Sequence, residues 1–288
     1  MKYADKLGKI YDFFCGMTPG FPDQKSLEEI AGSNICEGSY ILEGAENNTH
    51  QPAQETISMI DSQRQVFSRC VKTEMLKQIN LNAILEEANS SVSGDEEVSD
   101  DYVEFGWLLN FMEMAGKISD KTLQKIWGRI LSGKVKNTSA ISLHSLFTIS
   151  RISVREAELF KKTCRYVVAI NGENLLLNDS SFNSKYGISY NDILRLDEYG
   201  LINSSGMLSL QLSWSNVART HIRYGEYAAF GVSAEKKNTS LQIFTLREAG
   251  NDLLTIIDRE VDKRYFDDFK ECIKKDTAGL SFIDVNPG

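Results

Sequence analysis

From residue 53 to residue 89 the chain contains neither glycine nor proline. Nothing there removes an amide donor or loosens the backbone, so a helix can propagate without interruption. Apolar Ile57, Ile60, Phe67, Val71, Ile79 and Ile84 fall at helical spacings, and Arg64, Glu74 and Gln78 interrupt them. The pattern predicts one long helix, or two, carrying a narrow apolar seam. Ile57, Ile60, Phe67 and Val71 form the candidate oligomer seam, because a stripe this narrow is not fully explained by packing on a globular core. Arg64 and Glu74 within it resemble the polar seam residues of a specific helix pair, which cost stability and fix partner and register. Packing of the helix along its own domain is the competing reading.

The flanks read differently. Residues 1–52 look irregular apart from a short helix over 4–14, ended by Gly16 and the Pro19-Gly20-Phe21-Pro22 cluster. Residues 90–104 form an acidic linker, with Asp95, Glu96, Glu97, Asp100, Asp101 and Glu104 and no base. Its spacing does not fit a calcium loop, whose glycine should fall inside the run of ligands. Residues 105–170 read as a helical core domain. Residues 105–115 are apolar nearly all round, Ser119 caps the next helix, and Leu123, Ile126, Trp127, Ile130 and Leu131 make one clean face. Ser142 opens a third helix, and Ser153 with Glu156 forms a capping box for a fourth.

After residue 170 strands enter. Asn171-Gly172 is a turn signal followed by Leu175, Leu176 and Leu177, Ser189 caps a helix over Ile193, Leu194 and Leu196, and Gly200-Leu201 reads as a Schellman end. Residues 207–214 alternate, with Leu208, Leu210, Leu212 and Trp214 on one side, which predicts a half-buried strand. Residues 227–232 and 241–245 are further strand candidates, and Thr245 with Glu248 suggests a second capping box. Helix continues toward 275, and 277–288 reads as a flexible tail.

Four prolines in 288 residues suit a helix-rich chain. The five cysteines, Cys15, Cys36, Cys70, Cys164 and Cys272, are isolated, which fits reduced thiols better than a disulfide framework. No apolar run is long enough to span a bilayer and the start lacks an apolar signal region, so a cytoplasmic location without membrane contact is expected. A net charge of −8 opposes a generic binder of nucleic acid or anionic lipid.

Enzyme signatures are missing. There is no H-E-x-x-H, Walker loop, G-x-G-x-x-G or G-x-S-x-G elbow, and no arginine stands five to seven residues before His50, His144 or His221. His144 reads as structural. Glu226 with Glu235-Lys236-Lys237 matches an acid…E-x-K metal-nuclease pattern that chance supplies in most chains this long. Trp107 and Trp127 lie on apolar helix faces and read as core.

The segment WLLNFMEMAGKISDKTLQKIWGRILSGKV, continuing through ISLHSLFTISRISVREAELF, resembles a bacterial family known as a domain of unknown function. More loosely it is similar to the abortive-infection alpha proteins. Trp107 with Phe111, Ile118-Ser119-Asp120, Trp127 to Gly133, and Ser153 with Glu156 to Phe160 carry the likeness, which covers 55–170 and continues weakly to 257. Residues 137–140 depart from it where a Pro-Gly pair is usual. The resemblance implies no established activity, only a link to phage conflict. Separately, ILRLDEYGLI, the alternating strand, a return strand and LREAGNDLL look like a winged-helix module over 171–276, with Gly250 letting the closing helix approach the sheet.

Such a module implies DNA binding, and its candidate contacts are Arg195, Arg219, Arg223, Lys236 and Lys237. Yet residues 185–245 hold six bases against five acids, a poor balance for phosphate. The expectation is therefore a mostly α protein, a helical core bundle followed by a winged-helix-like α+β part. It should work without a cofactor or metal as a regulatory protein that binds a protein partner or itself. A nucleic-acid-binding regulator is the alternative, and a metal nuclease with a cryptic site a further one.

Overall fold

The structure is a computed structural model describing residues 2–16, 52–92, 96–98, 100–215, 219–275 and 277–285, with backbone alone over 52–61. The readings placed on 17–51, including the Pro19–Pro22 cluster, Cys36 and His50, lie outside the described residues. The chain divides into two compact units, Met1–Thr138 and Ser139–Gly288, so the boundary falls inside the 105–170 stretch.

The first unit contains α1 (Tyr3–Phe14), α2 (Pro52–Ser90), α3 (Phe105–Ala115) and α4 (Lys121–Lys136). The long stretch is one continuous helix, and Pro52 occupies its first position, where a missing amide costs nothing. Among its described side chains, those that enter the core are Leu81, Ile84, Leu85 and Ala88 in the last turns. Around them pack Tyr3, Leu7, Ile10 and Phe14 of α1, and Trp127, Ile130, Leu131 and Val135 of α4. Phe111 is the hub, with ring centroids 6.1 Å from Phe14, 5.2 Å from Trp107 and 5.4 Å from Trp127. Gly128 lets α4 approach α2 closely, since a Cβ there would lie 2.7 Å from the Cβ of Glu87 and 2.9 Å from the amide nitrogen of Ala88.

Three expectations change here. Helix α3 is not buried all round: Trp107, Leu108, Phe111 and Ala115 face inward, while Phe105 and Leu109 are exposed. Asp120, not Ser119, caps α4, its carboxylate accepting from the amides of Thr122 and Leu123. The acidic segment is not wholly solvated linker. The carbonyl of Glu96 accepts the amide of Tyr3 at 2.9 Å, and its carboxylate sits 3.0 Å from Lys136.

The second unit opens with α5 (Leu143–Ile149) and α6 (Val154–Cys164), capped by Ser142 and by the Ser153–Glu156 box. Then come β1 (Val168–Ile170), β2 (Glu173–Leu177), α7 (Ser180–Lys185), α8 (Tyr190–Glu198), β3 (Ile202–Asn203) and β4 (Ser209–Trp214). β5 (Thr220–Tyr224), β6 (Tyr227–Ser233), β7 (Lys237–Leu246), α9 (Glu248–Ile256), α10 (Lys263–Lys275) and β8 (Leu280–Val285) complete it. All pairings are antiparallel, in the order β3-β7-β2-β1-β5-β6-β8, with β4 also on β7.

The turn chemistry read from sequence holds. Asn171 and Gly172 both take positive φ, as a two-residue hairpin between β1 and β2 requires. At the end of α8 the Leu201 amide bonds the Leu196 carbonyl and the Gly200 amide that of Asp197, a Schellman pair. Gly250 is required by proximity, because a Cβ would meet the Leu201 carbonyl oxygen at 2.1 Å. One sheet face carries Val168, Ile170, Leu175, Ile222, Tyr224 and Ile243, packed with Tyr265, Phe266, Phe269 and Ile273 of α10.

Other expectations do not hold. Thr245 is still in β7, paired with Leu175 and Asn203, so α9 begins after Arg247 without a side-chain cap. The tail forms β8 against β6. β1 and β5 were not anticipated, and they make the sheet larger than the minor α+β part expected. The fold class is mixed α+β.

Candidate functional site

Helix α2 rises about 1.5 Å per residue, and most of its length precedes the turns buried in the first unit. On that earlier part Val66, Phe67, Val71, Met75, Leu76 and Ile79 are each at least 40% exposed. Single exposed apolar residues are ordinary on any surface, and a run of them along one helix makes this stretch the candidate site. Phe67 and Val71 are the described members of the seam read from sequence. The side chains of Ile57 and Ile60 are outside the described residues. Met75 and Leu76 were missed because neither falls on the seam's alternating three- and four-residue spacing. Arg64 and Glu74 are exposed on the same helix, Glu74 holding Lys77 at 2.8 Å. The exposed stretch ends where Gln78 reaches Asn82 and the Cys15 sulfur beyond α1.

The five basic candidates lie on or beside different elements of the second unit. Arg195 on α8 is turned inward, its Nη2 and Nε 2.6 and 2.7 Å from the buried carboxylate of Glu156. Ser153 first, and Arg195 with it, holds the Glu156 carboxyl below its ordinary range against the opposing effect of burial. Asp197 is likewise occupied by Arg247 at 2.7 Å and by Ser204. Arg219 and Arg223 are exposed at opposite ends of β5, and Arg223 donates to the Gly225 carbonyl. Lys236 is exposed, and Lys237 pairs with Glu235 at 3.0 Å.

The nuclease pattern is broken by topology. Glu226 precedes β6 and Glu235 follows it, so a seven-residue strand of about 3.3 Å per residue separates them. Two carboxylates that far apart cannot hold one ion. Among the described residues, no three His, Cys, Asp or Glu side chains gather as metal ligands. His144 is exposed on α5 and not a core residue, while His221 lies against Phe230 in a tilted pair, ring centroids 5.2 Å apart. Trp107 and Trp127 are 2% and 1% exposed, as core residues should be. Among the described residues, no helix is long and apolar enough to cross a membrane.

Fold and surface together define a class: a two-unit α+β protein whose first unit carries exposed apolar residues along a long helix. The chain belongs to the family described as "Protein of unknown function (DUF2806)", which matches residues 63–270. That span includes Phe67, Val71 and Glu74 and all of the sheet except β8. No curated protein and no solved structure matches the chain.

Proposed function

We propose that this is a cytoplasmic regulatory protein that acts through protein interaction, and that its α2 face pairs with the α2 face of a second copy. The observation that carries the reading is the exposed run from Val66 to Ile79 on one helix. The charges within the seam favour a second copy and an orientation. Positions 57, 60, 64, 67, 71, 74 and 78 follow alternating steps of three and four, the a/d spacing of a helix pair. In an antiparallel pair centred on residue 69, Arg64 meets Glu74 of the other copy and Phe67 meets Val71. In a parallel pair in register, Arg64 meets Arg64 and Glu74 meets Glu74, and like charges in a seam oppose association. The pattern therefore supports the antiparallel arrangement.

We read the second unit as winged-helix-like. β2, α7, α8, β3 with β4, and β7 follow one another in that module's order, and β7 lies between β2 and the β3–β4 side. The inward ion pairs of Arg195 and Asp197 favour a scaffold over a DNA reader, because charges already paired are poor ligands for phosphate. The likeness to abortive-infection alpha proteins around Trp107 and Trp127 supports a setting in phage defence.

Sedimentation equilibrium of the full chain at tens of micromolar tests the reading. The expected mass is about twice the 32.4 kDa chain. Phe67→Asp should return it to one chain with the helical circular dichroism unchanged. Arg64→Glu should weaken the pair, and Arg64→Glu with Glu74→Arg should restore it. A wild-type monomer at that concentration overturns self-association. A dimer indifferent to both charge changes overturns the antiparallel register.

A further inference from the structure

The C-terminal end of α6 carries a cleft that the helix-pairing surface leaves out. It has a volume of about 420 Å³ and is lined by Lys161, Lys162 and Arg165 of α6 and its cap, Arg259 from the α9–α10 connection, and three acids. Arg259 is the unusual member. Its guanidinium is half-buried, and one corner is fixed, with Nη1 donating to the carbonyls of Cys164 at 3.2 Å and Val167 at 2.8 Å. Its plane lies 5.9 Å from the Tyr224 ring centroid, and Tyr224 is itself anchored by its hydroxyl to the Arg165 carbonyl at 2.5 Å. Among the described residues no carboxylate pairs with Arg259. Burial pushes its pKa down, the sign of a cation short of compensation.

The local acids do not correct this. Glu260, the next residue, is 84% exposed and turned to Arg165 at 3.0 Å. The end of α6 supplies carbonyl dipoles worth about half a negative charge. Against that half-charge and the three carboxylates of Glu158, Asp258 and Glu260 stand four cations, which leaves an excess of about half a positive charge in the cleft. Lys162 spends one donor on the Gly187 carbonyl at 2.6 Å, and Lys161 is exposed with no partner among the described residues. A half-buried guanidinium is ordinarily paired, since removing it from water is costly unless an anion answers it. Among the described residues the Nε and Nη2 edge has no protein acceptor, and that edge is the part of arginine that binds an oxyanion in bidentate fashion.

We propose that this cleft is a binding site for a phosphoryl group carried by a small molecule, with Arg259 as the fixed fork and Lys161 as the mobile second cation. The size suits a ligand no larger than a mononucleotide or a pyrophosphate. The lining contains no aromatic ring to stack a base, so recognition rests on the phosphates. This inference is independent of the pairing of α2, because every residue it uses belongs to the second unit.

Titration calorimetry of the full chain with pyrophosphate, at a fixed ionic strength of about 0.15 M in chloride, tests it. The expected result is saturable one-to-one binding, weakened about tenfold or more in Lys161→Ala, roughly the loss of one charge-assisted contact. Arg259→Gln should abolish it. Because Arg259 also holds the end of α6, the Lys161→Ala variant carries the decision should Arg259→Gln fail to fold. Adenosine monophosphate should bind and adenosine should not. Any one of three results overturns the proposal: no pyrophosphate binding above the chloride baseline, an affinity indifferent to Lys161, or equal binding of adenosine and its monophosphate. Binding of duplex DNA without pyrophosphate also overturns it, in favour of an extended nucleic-acid surface.

Discussion

Replacing Gly128 by alanine sets two terms of opposite sign against each other. In an open helix interior the change gains about 1 kcal/mol, because glycine gives up more backbone freedom on folding than alanine does. At Gly128 the new methyl would stand 2.7 Å from the Glu87 Cβ, 2.9 Å from the Ala88 amide nitrogen and 3.0 Å from the Glu87 carbonyl carbon. These are backbone and Cβ atoms and cannot swing aside. That part of α2 is also held from the other side, where the Tyr3 hydroxyl donates to the Ala88 carbonyl at 2.8 Å. The helices must separate, and overpacking of this kind costs about 1–3 kcal/mol, so the net expectation is a loss of up to about 2 kcal/mol after the propensity gain. Gly8 lies inside α1, where an added methyl would meet nothing within 4 Å. It is the control and should gain about 0.5–1 kcal/mol as alanine. Equilibrium urea unfolding followed by tryptophan fluorescence in a Trp214→Phe background reads the first unit, where Trp107 and Trp127 are both buried, while Trp214 belongs to the second unit. If Gly128→Ala raises the midpoint as Gly8→Ala does, the close approach of α4 to α2 is wrong.

Two further outcomes follow from the same packing and caps. Trp127→Ala should destabilise the first unit by about 3–5 kcal/mol, the range for deleting a large buried side chain, since Trp127 is 1% exposed; a urea midpoint shift worth less than about 1 kcal/mol would place it outside the core. Glu156 has a folded pKa below its unfolded value, through Ser153 first and Arg195 with it, so its contribution is present above the ordinary glutamate pKa of about 4.3 and lost as pH falls through the folded value. Glu156→Gln should therefore cost about 1 kcal/mol or more at pH 7, as loss of a cap does, and the gap to wild type should narrow in urea melts near pH 3; a gap independent of pH refutes the assignment.

What was legible in the sequence was local. The caps at Ser142, Ser153 and Ser189, the Asn171-Gly172 turn and the Gly200-Leu201 end each rest on hydrogen bonds or dihedrals set within about six residues, so residue type alone specifies them. Where a long-range partner competes, the local reading loses. Thr245 and Glu248 have capping-box spacing, but the β7 ladder with Leu175 and Asn203 keeps Thr245 extended. β8 owes its existence to β6, some fifty residues earlier, and its own alternation leaves only Leu280 buried. Such a strand is hard to tell from a tail until its partner is known. The same holds for α3, whose near-continuous apolar pattern could not say that Phe105 and Leu109 would face solvent.

The two proposed surfaces differ in legibility for the same reason. The seam of α2 lies on one helix, and period alone ranks Phe67 and Val71 together with Arg64 and Glu74 as their charged neighbours. The proposed antiparallel orientation rests on the same positions, since a two-fold through residue 69 pairs opposite charges and a parallel register pairs like ones. The cleft at the end of α6 has no such period. Lys161 and Arg259 are separated by nearly a hundred residues and meet because α9 returns the chain past the sheet, so charge counts along the sequence averaged them away. A balanced composition therefore did not exclude a local excess of positive charge. It excluded only a basic face large enough to be read without the fold, and the paired state of Arg195 and Lys237 shows why position and not count decides which cations remain for a ligand.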